Sequence, residues 1–398
     1  MRARLSKFAL AAALALLGAV APVEAWSPWH EAVLFGGPAP AAFGFYNFTG
    51  RNLPHWKAAL AAVAAGSHNA KVLLVGDSTT DGYGAESTAS QDRANSWPTQ
   101  LAGLFKPPTP AGWQSFIGDG PGAMPTTSLD ARVTSNFSQN TGLPSVGGAF
   151  MQATSAATFS FTPATSCDTF DVYATDYPGS GTLNANLDGG TNTAINENGS
   201  SSMTTTTITG SLGPHTLNVS WASGGTTNLL GVDCYNSAQK QIMLWNAGWW
   251  GSFASDWDSS TYFFNPLPAI EYLAPSLTII DLTINDWNSA TNLTTYTNEL
   301  QAIISAAQQS GDVILMSGNP TNQSASAATQ ATYDNAVKAL AYADGIPFID
   351  IYNLLGANWT TLNNEGLMYD TDHPEAALYS RIAGYVYQAL KPGFRSAQ

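Results

Sequence analysis

At 398 residues the chain is long enough for two or three domains, each able to bury a core of its own. It carries 14 basic against 28 acidic residues, a net charge of −14, which argues against a nucleic-acid or anionic-membrane partner. Charged residues make up only 11% of it, and Thr, Ser, Asn and Gly are frequent, which suits a neutral, hydroxyl-rich partner such as a polysaccharide.

The N-terminus reads as an export signal. Arg2, Arg4 and Lys7 precede an apolar run over 8–20, and Val23-Glu24-Ala25 is a small-x-small cleavage site. The run falls short of the ~20 residues a membrane-spanning helix needs. The expectation is therefore a signal peptide over 1–25, a secreted or periplasmic product, and no membrane association once it is cleaved. Losing Arg2, Arg4, Lys7 and Glu24 leaves 11 basic against 27 acidic residues, or −16. In an exported chain Cys167 and Cys234, the only two cysteines, are expected to form a disulfide, contributing about 4 kcal/mol through loop entropy. Two free buried cysteines are the alternative.

Residues 26–50 are aromatic and Gly/Pro-rich and are expected to wrap the surface. An alanine-rich helix follows over 56–65, stopped by Gly66. Lys71-Val72-Leu73-Leu74-Val75-Gly76 is an apolar run of strand length, and it delivers Asp77 and Ser78 onto a glycine-rich turn. Trp97, Leu101 and Leu104 recur at helical spacing before Pro107-Pro108. Over 136–239 the period switches to two, in Phe159-Phe161, Phe170-Val172-Ala174, Leu183-Ala185-Leu187 and Leu217-Val219-Trp221, and no Lys or Arg occurs between Arg132 and Lys240. Turn signals such as Asp188-Gly189-Gly190 separate these runs. They predict an all-β jelly roll or β-sandwich, with the cysteines near its first and last strands.

Strand-length runs resume at 242–245, 277–282, 313–316 and 348–351. Between and after them come helices marked by Tyr296, Leu300, Ile303 and Ile304, by Tyr333, Val337 and Leu340, and by Tyr379, Ile382, Val386 and Leu390. With the strand before Ser78, that makes a flavodoxin-like, doubly wound, five-stranded parallel sheet, split by the β-sandwich into parts at 26–135 and 240–398.

Ligands of such sheets bind beyond the carboxyl ends of the strands. The polar residues there are Ser78, then Asn246-Ala247-Gly248, then Thr283-Ile284-Asn285-Asp286, then Asp370 and His373, with Pro374 expected at the first helical position. A serine hydroxyl needs a base within reach. Of the five histidines, His30, His55, His68 and His215 lie in the N-terminal segment, its helix or the insert, and only His373 follows a sheet strand with a carboxylate three residues before it. Asp370 is the expected partner of that imidazole, with Asp372 as the alternative.

These four blocks resemble those of the SGNH (GDSL-type) hydrolase superfamily: Gly76-Asp77-Ser78, Asn246-Ala247-Gly248, Asn285-Asp286 and Asp370 to His373. They occur in the family's order across the whole α/β portion, although Thr283 stands where the third block normally begins with glycine. The resemblance implies a Ser78, His373, Asp370 triad, with oxyanion donors in the Ser78 and Gly248 N–H groups and the Asn285 amide. It implies no cofactor, and no metal-ligand spacing is present. Trp249, Trp250 and Trp287 could floor a substrate groove or belong to the core; Asp77 and Asp286 are read as loop-ordering residues. Family members with an attached β-sandwich resemble carbohydrate acetylesterases, so the expected activity is removal of O-acetyl or other short acyl groups from a neutral polysaccharide. The same triad would serve an acetyltransferase, a lipase or a general esterase, and a vestigial triad would leave a glycan-binding protein.

Overall fold

The computed structural model describes residues 43–86, 92–112, 116–117, 130–140, 142–323 and 329–396. The expected signal peptide and most of the 26–50 wrap lie outside them.

The run before Ser78 forms the strand Ala70–Gly76, and Val72 to Val75 are fully buried, as a strand covered on both faces must be. Its neighbours are Ile242–Gly248 on one side and Leu277–Asp281 on the other, followed outward by Asp312–Met316 and Phe348–Ile349, all parallel. Counted along the chain, these five strands lie in the order 2-1-3-4-5, the flavodoxin-like arrangement. Two-residue strands extend the sheet at its edges: Phe45–Tyr46, antiparallel to Phe348–Ile349, and Ala111–Gly112, parallel to Ile242–Gly248. Elements so short leave no periodic signal in sequence.

The helices Leu293–Ala307, Gln330–Ala343 and Ala376–Leu390 bury the apolar stripes that their spacing predicts. Asn292 caps the first, accepting the N–H groups of Thr294 and Thr295. The last strand is shorter than its apolar run. Asp350 accepts the Asn353 N–H at 3.1 Å, and that cap turns Ile351–Leu354 into a helical turn. Among the described residues no helix is long and apolar enough to cross a membrane.

Two antiparallel sheets accompany the α/β layer. One has five strands, in the order 193–196, 182–187, 217–223, 158–161, 133–135; the other has 202–213, 167–176, 227–235, 150–153, 138–140, with 116–117 pairing on 227–235. Phe159, Phe161, Leu183 and Val219 of the first meet Phe170, Val172, Leu229 and Val232 of the second in one core. Strands at 116–117 and 133–135 thus join these sheets ahead of the expected boundary at 136. The second sheet also packs on the α/β layer: Phe150, Tyr173, Met203 and Leu230 share a core with Trp245, Trp249, Phe264 and Ile270. The described residues form one compact unit.

Cys167 and Cys234 are disulfide-bonded, with Cα atoms 5.9 Å apart. Their strands are adjacent in the second sheet, so the bridge joins neighbouring strands and does not clasp the ends of the layer.

Candidate active site

The nucleophile loop is shaped by its own polar side chains. Asp77 leaves the strand in an extended conformation, and its carboxylate accepts the Thr79 N–H and the Thr79 hydroxyl, both at 2.8 Å. That caps the short helix Ser78–Asp81 and makes Ser78 its first residue, where a helix has no internal acceptor for the N–H. Burial is the largest influence on Asp77 and, against the Thr79 hydrogen bonds, pushes its carboxyl up to about 6. Asp281, whose Cα pairs with that of Gly76, is also buried, and burial with the Asp77 charge raises it well above the ordinary range.

The histidine loop is a closed turn. Met368 and Pro374 form an isolated antiparallel bridge, the Tyr369 N–H donates to the His373 carbonyl at 2.8 Å, and the helix begins only at Ala376. Pro374 is therefore not its first residue. Inside the turn Asp370 Oδ1 accepts the N–H groups of Asp372 and His373, both at 2.8 Å. Both Asp370 oxygens lie 2.9 Å from His373 Nδ1, and His373 Nε2 lies 2.9 Å from Ser78 Oγ. With the Nδ1 proton donated to Asp370, Nε2 is the acceptor facing the hydroxyl. Partial burial acts to raise Asp370, but the His373 hydrogen bond and charge, with the two N–H donors, outweigh it and hold the carboxyl at about 2. Asp372, the alternative partner, instead accepts from Gln323 Nε2 at 2.6 Å.

Around Ser78 and His373 lies a cleft of ≈ 200 Å³, lined also by Tyr83, Trp250, Gly251, Ile284, Asn285 and Asp372. The Tyr83 ring stands edge-on to His373 (centroids 4.6 Å) and to Trp250 (4.4 Å). Trp250 Nε1 donates to Asp81 Oδ2 at 2.9 Å, and Asp81 in turn pairs with buried Arg93 at 2.7 Å. Asn285 Nδ2 donates one hydrogen to the Ser252 carbonyl at 3.0 Å, which fixes the amide and leaves its second N–H. Thr283 has φ −140°, a backbone that needs no glycine. Asp286 Oδ2 accepts the Ala254 N–H at 2.8 Å and ties the two loops together.

Gly248 lies elsewhere. Its N–H donates to Asn246 Oδ1 at 2.9 Å, and a Cβ there would overlap the Asp81 backbone, so this glycine admits the nucleophile helix against the strand. The glycine facing the cleft is Gly251, with φ +67° and open space where a Cβ would stand. Its N–H donates to no described residue. Of the three tryptophans only Trp250 lines the cleft; Trp249 and Trp287 are buried, Trp249 against Trp257. Tyr83 and Gly251 also line the cleft, outside the four blocks. The Gly-Tyr and Trp-Gly pairs beside the first two blocks were the only signal for them.

A second imidazole also meets a carboxylate, His215 Nδ1 to Asp188 Oδ2 at 2.6 Å, but its Nε2 is spent on the Ser211 carbonyl.

No protein-family model matches the chain, and no curated protein matches it. Solved structures do. A peptidoglycan O-acetylesterase aligns over 86% of this chain and 97% of its own at 17% identity, with a TM-score of 0.66. A family two carbohydrate esterase from Clostridium thermocellum aligns over 66% of this chain and 98% of its own at 12% identity, with a TM-score of 0.31. The chain thus shares its overall fold with that peptidoglycan O-acetylesterase.

Proposed function

We propose that the protein is an exported serine esterase that removes O-acetyl or other short acyl groups from a polysaccharide. One observation carries the reading: Ser78 Oγ, His373 and Asp370 stand in an unbroken hydrogen-bonded line at the carboxyl end of the sheet. Ser78 Oγ attacks the ester carbonyl as its proton passes to His373 Nε2, and Asp370, ionised, stabilises the imidazolium. The C–O bond to the sugar then breaks. His373 returns the proton to the leaving sugar oxygen, and the acyl group stays on Ser78. Water, deprotonated by the same imidazole, releases it as the free acid. The Ser78 N–H, the Gly251 N–H and the second Asn285 N–H are the donors for the oxyanion, and each such donor is worth ~3 kcal/mol in the transition state.

The small cleft, lined by Tyr83, Trp250 and Ile284, suits an acetyl group better than a long acyl chain. The fold neighbour acts on peptidoglycan, which supports a glycan substrate. The −14 charge and Asp372 at the cleft favour a neutral one. The disulfide agrees with an oxidising compartment.

The test is acetate release from a small aryl acetate and from acetylated xylan, by the intact protein and by Ser78→Ala. Cleavage of both, with a loss of about a thousandfold or more in the variant, is expected. No acetate above the variant's background refutes acetyl hydrolysis. Acetate appearing on an added acceptor sugar in place of water identifies a transferase.

A further inference from the structure

We propose that a second pocket, set between Tyr177 and Tyr262, is a binding subsite for sugar rings of a neutral polysaccharide chain. The choice of a glycan rests on the esterase reading above; the pocket itself does not. It measures ≈ 370 Å³, larger than the cleft at Ser78 and within the range of small-ligand sites.

Its walls come from two layers. Gln152, Thr175 and Asn228 belong to three neighbouring strands of the second β-sheet, whereas Tyr262 and Phe264 end the segment that begins with Trp250 and Gly251 at the catalytic cleft. A single stretch of about fifteen residues thus lines both sites.

Among the described residues the lining contains no Asp, Glu, Lys, Arg or His, which argues against phosphates, cations and charged peptides as ligands. What it offers is aromatic faces and amides. Tyr177 and Tyr262 are 49% and 41% exposed. Each lies flat on a supporting ring: Tyr262 on Phe264 (centroids 5.4 Å, planes 8° apart) and Tyr177 on Phe263 (6.2 Å, 21°). Asn265, 1% exposed, fixes the turn that carries Tyr262 by accepting the Tyr262 N–H at 2.7 Å and donating to the Pro144 carbonyl at 2.6 Å. An exposed, rigidly backed ring is a platform for the C–H face of a pyranose.

The amides are held just as firmly. Gln152 Nε2 donates to Asn228 Oδ1 at 3.0 Å, Asn228 Nδ2 to Thr175 Oγ1 at 3.0 Å, and the Thr175 hydroxyl to Glu197 Oε2 at 2.9 Å. Glu197 is fully buried and anchors the row, also accepting the Asn228 N–H at 2.8 Å. Burial pushes its carboxyl up to about 8, so at neutral pH it places little charge behind the pocket. The Gln152 carbonyl oxygen and one hydrogen on each amide remain for sugar hydroxyls, and a row oriented in advance loses little entropy on binding.

The experiment uses the full-length protein carrying Ser78→Ala, titrated calorimetrically with xylohexaose, cellohexaose and chitohexaose. At least one is expected to bind saturably. Adding Tyr262→Ala or Gln152→Ala is expected to weaken that binding about tenfold, whereas Tyr262→Phe, which keeps the ring and the fold, stays within about threefold. With Ser78 intact, Tyr262→Ala leaves aryl acetate hydrolysis unchanged and raises KM on acetylated polysaccharide about tenfold. No saturable binding of any hexasaccharide up to about 10 mM, or binding indifferent to Tyr262 and Gln152, overturns the proposal. The two readings fail separately: inactivity toward aryl acetate removes the esterase and leaves Tyr262-dependent binding standing, whereas indifference to Tyr262 removes the subsite and leaves the esterase.

Discussion

Asn246 Oδ1 accepts the Gly248 N–H at 2.9 Å, and this bond takes from the cleft the donor that the second sequence block was expected to supply. Removing that acceptor is therefore a question of stability more than of chemistry. Asn246→Ala is expected to cost about 1–3 kcal/mol in urea unfolding, because it leaves a buried N–H without a partner. The kcat of the folded fraction on an aryl acetate should stay within about threefold. Asn285→Ala should do the reverse, lowering kcat about 10²–10³-fold with little change in stability. A large kcat loss in Asn246→Ala with unchanged stability would return the oxyanion role to Gly248.

Asp370 and Asp372 separate in the same way. Asp370 faces His373 Nδ1 with both oxygens, whereas Asp372 is occupied with Gln323. Asp370→Asn is expected to lower kcat about 10³–10⁴-fold, and Asp372→Asn by less than about fivefold. Since the folded Asp370 titrates near 2, below its usual value, its contribution to stability is present above about pH 4 and is lost as pH falls through about 2. An acid unfolding titration of Asp370→Asn should show that low-pH component missing.

Glu197 has the opposite sign. Its folded carboxyl is raised from 4.5 to about 8, so between those values the folded state holds a proton that the unfolded chain releases, and stability falls as pH rises. Glu197→Gln keeps an acceptor for the Asn228 N–H and the Thr175 hydroxyl and removes the titration. Thermal unfolding should show little difference at pH 5 and a variant more stable by roughly 5 °C at pH 9.

The disulfide is expected to act on stability alone. It closes a sequence separation of 67 residues, far from Ser78 along the chain, and the double variant Cys167→Ala/Cys234→Ala should lose about 4 kcal/mol against urea. Its kcat on aryl acetate, measured well below the unfolding midpoint, should match the parent's.

The parallel strands were legible because strands covered on both faces write continuous apolar runs, and Ser78 because it stands just beyond a strand end; Asp370 and His373 lie about twenty residues past the last strand, beyond two helical segments, and only the spacing of the two marks them in sequence. What separates Trp249 from Trp250 is subtler. The Trp249 N–H still donates to the Gly76 carbonyl at the end of the strand, whereas Trp250 stands in the turn closed by the Ser252 N–H on the Trp249 carbonyl, so one ring enters the core and the other the cleft, and sequence does not say which. Gly248 and Gly251 stand three residues apart, and what tells them apart is the fold around them: the Asp81 backbone against Gly248, the Asn246 bond to its N–H, and the positive φ of Gly251. That Phe150, Tyr173 and Leu230 of the second β-sheet pack on the α/β layer is not legible in sequence, because an alternating strand does not say what its apolar face meets.

The strand that carries Ser78 pairs directly with Ile242–Gly248, and the bond from the Gln241 N–H to Asn69 Oδ1 at the start of that pair spans 172 residues of chain. Closing so long a loop costs entropy before any contact repays it. During synthesis the nucleophile's strand is made early and then waits, unpaired on that edge, until both β-sheets have been produced. A chain that stops short of residue 242 holds Ser78 in an open, aggregation-prone edge, so the order of manufacture itself delays assembly of the catalytic line until the sheets beside it exist.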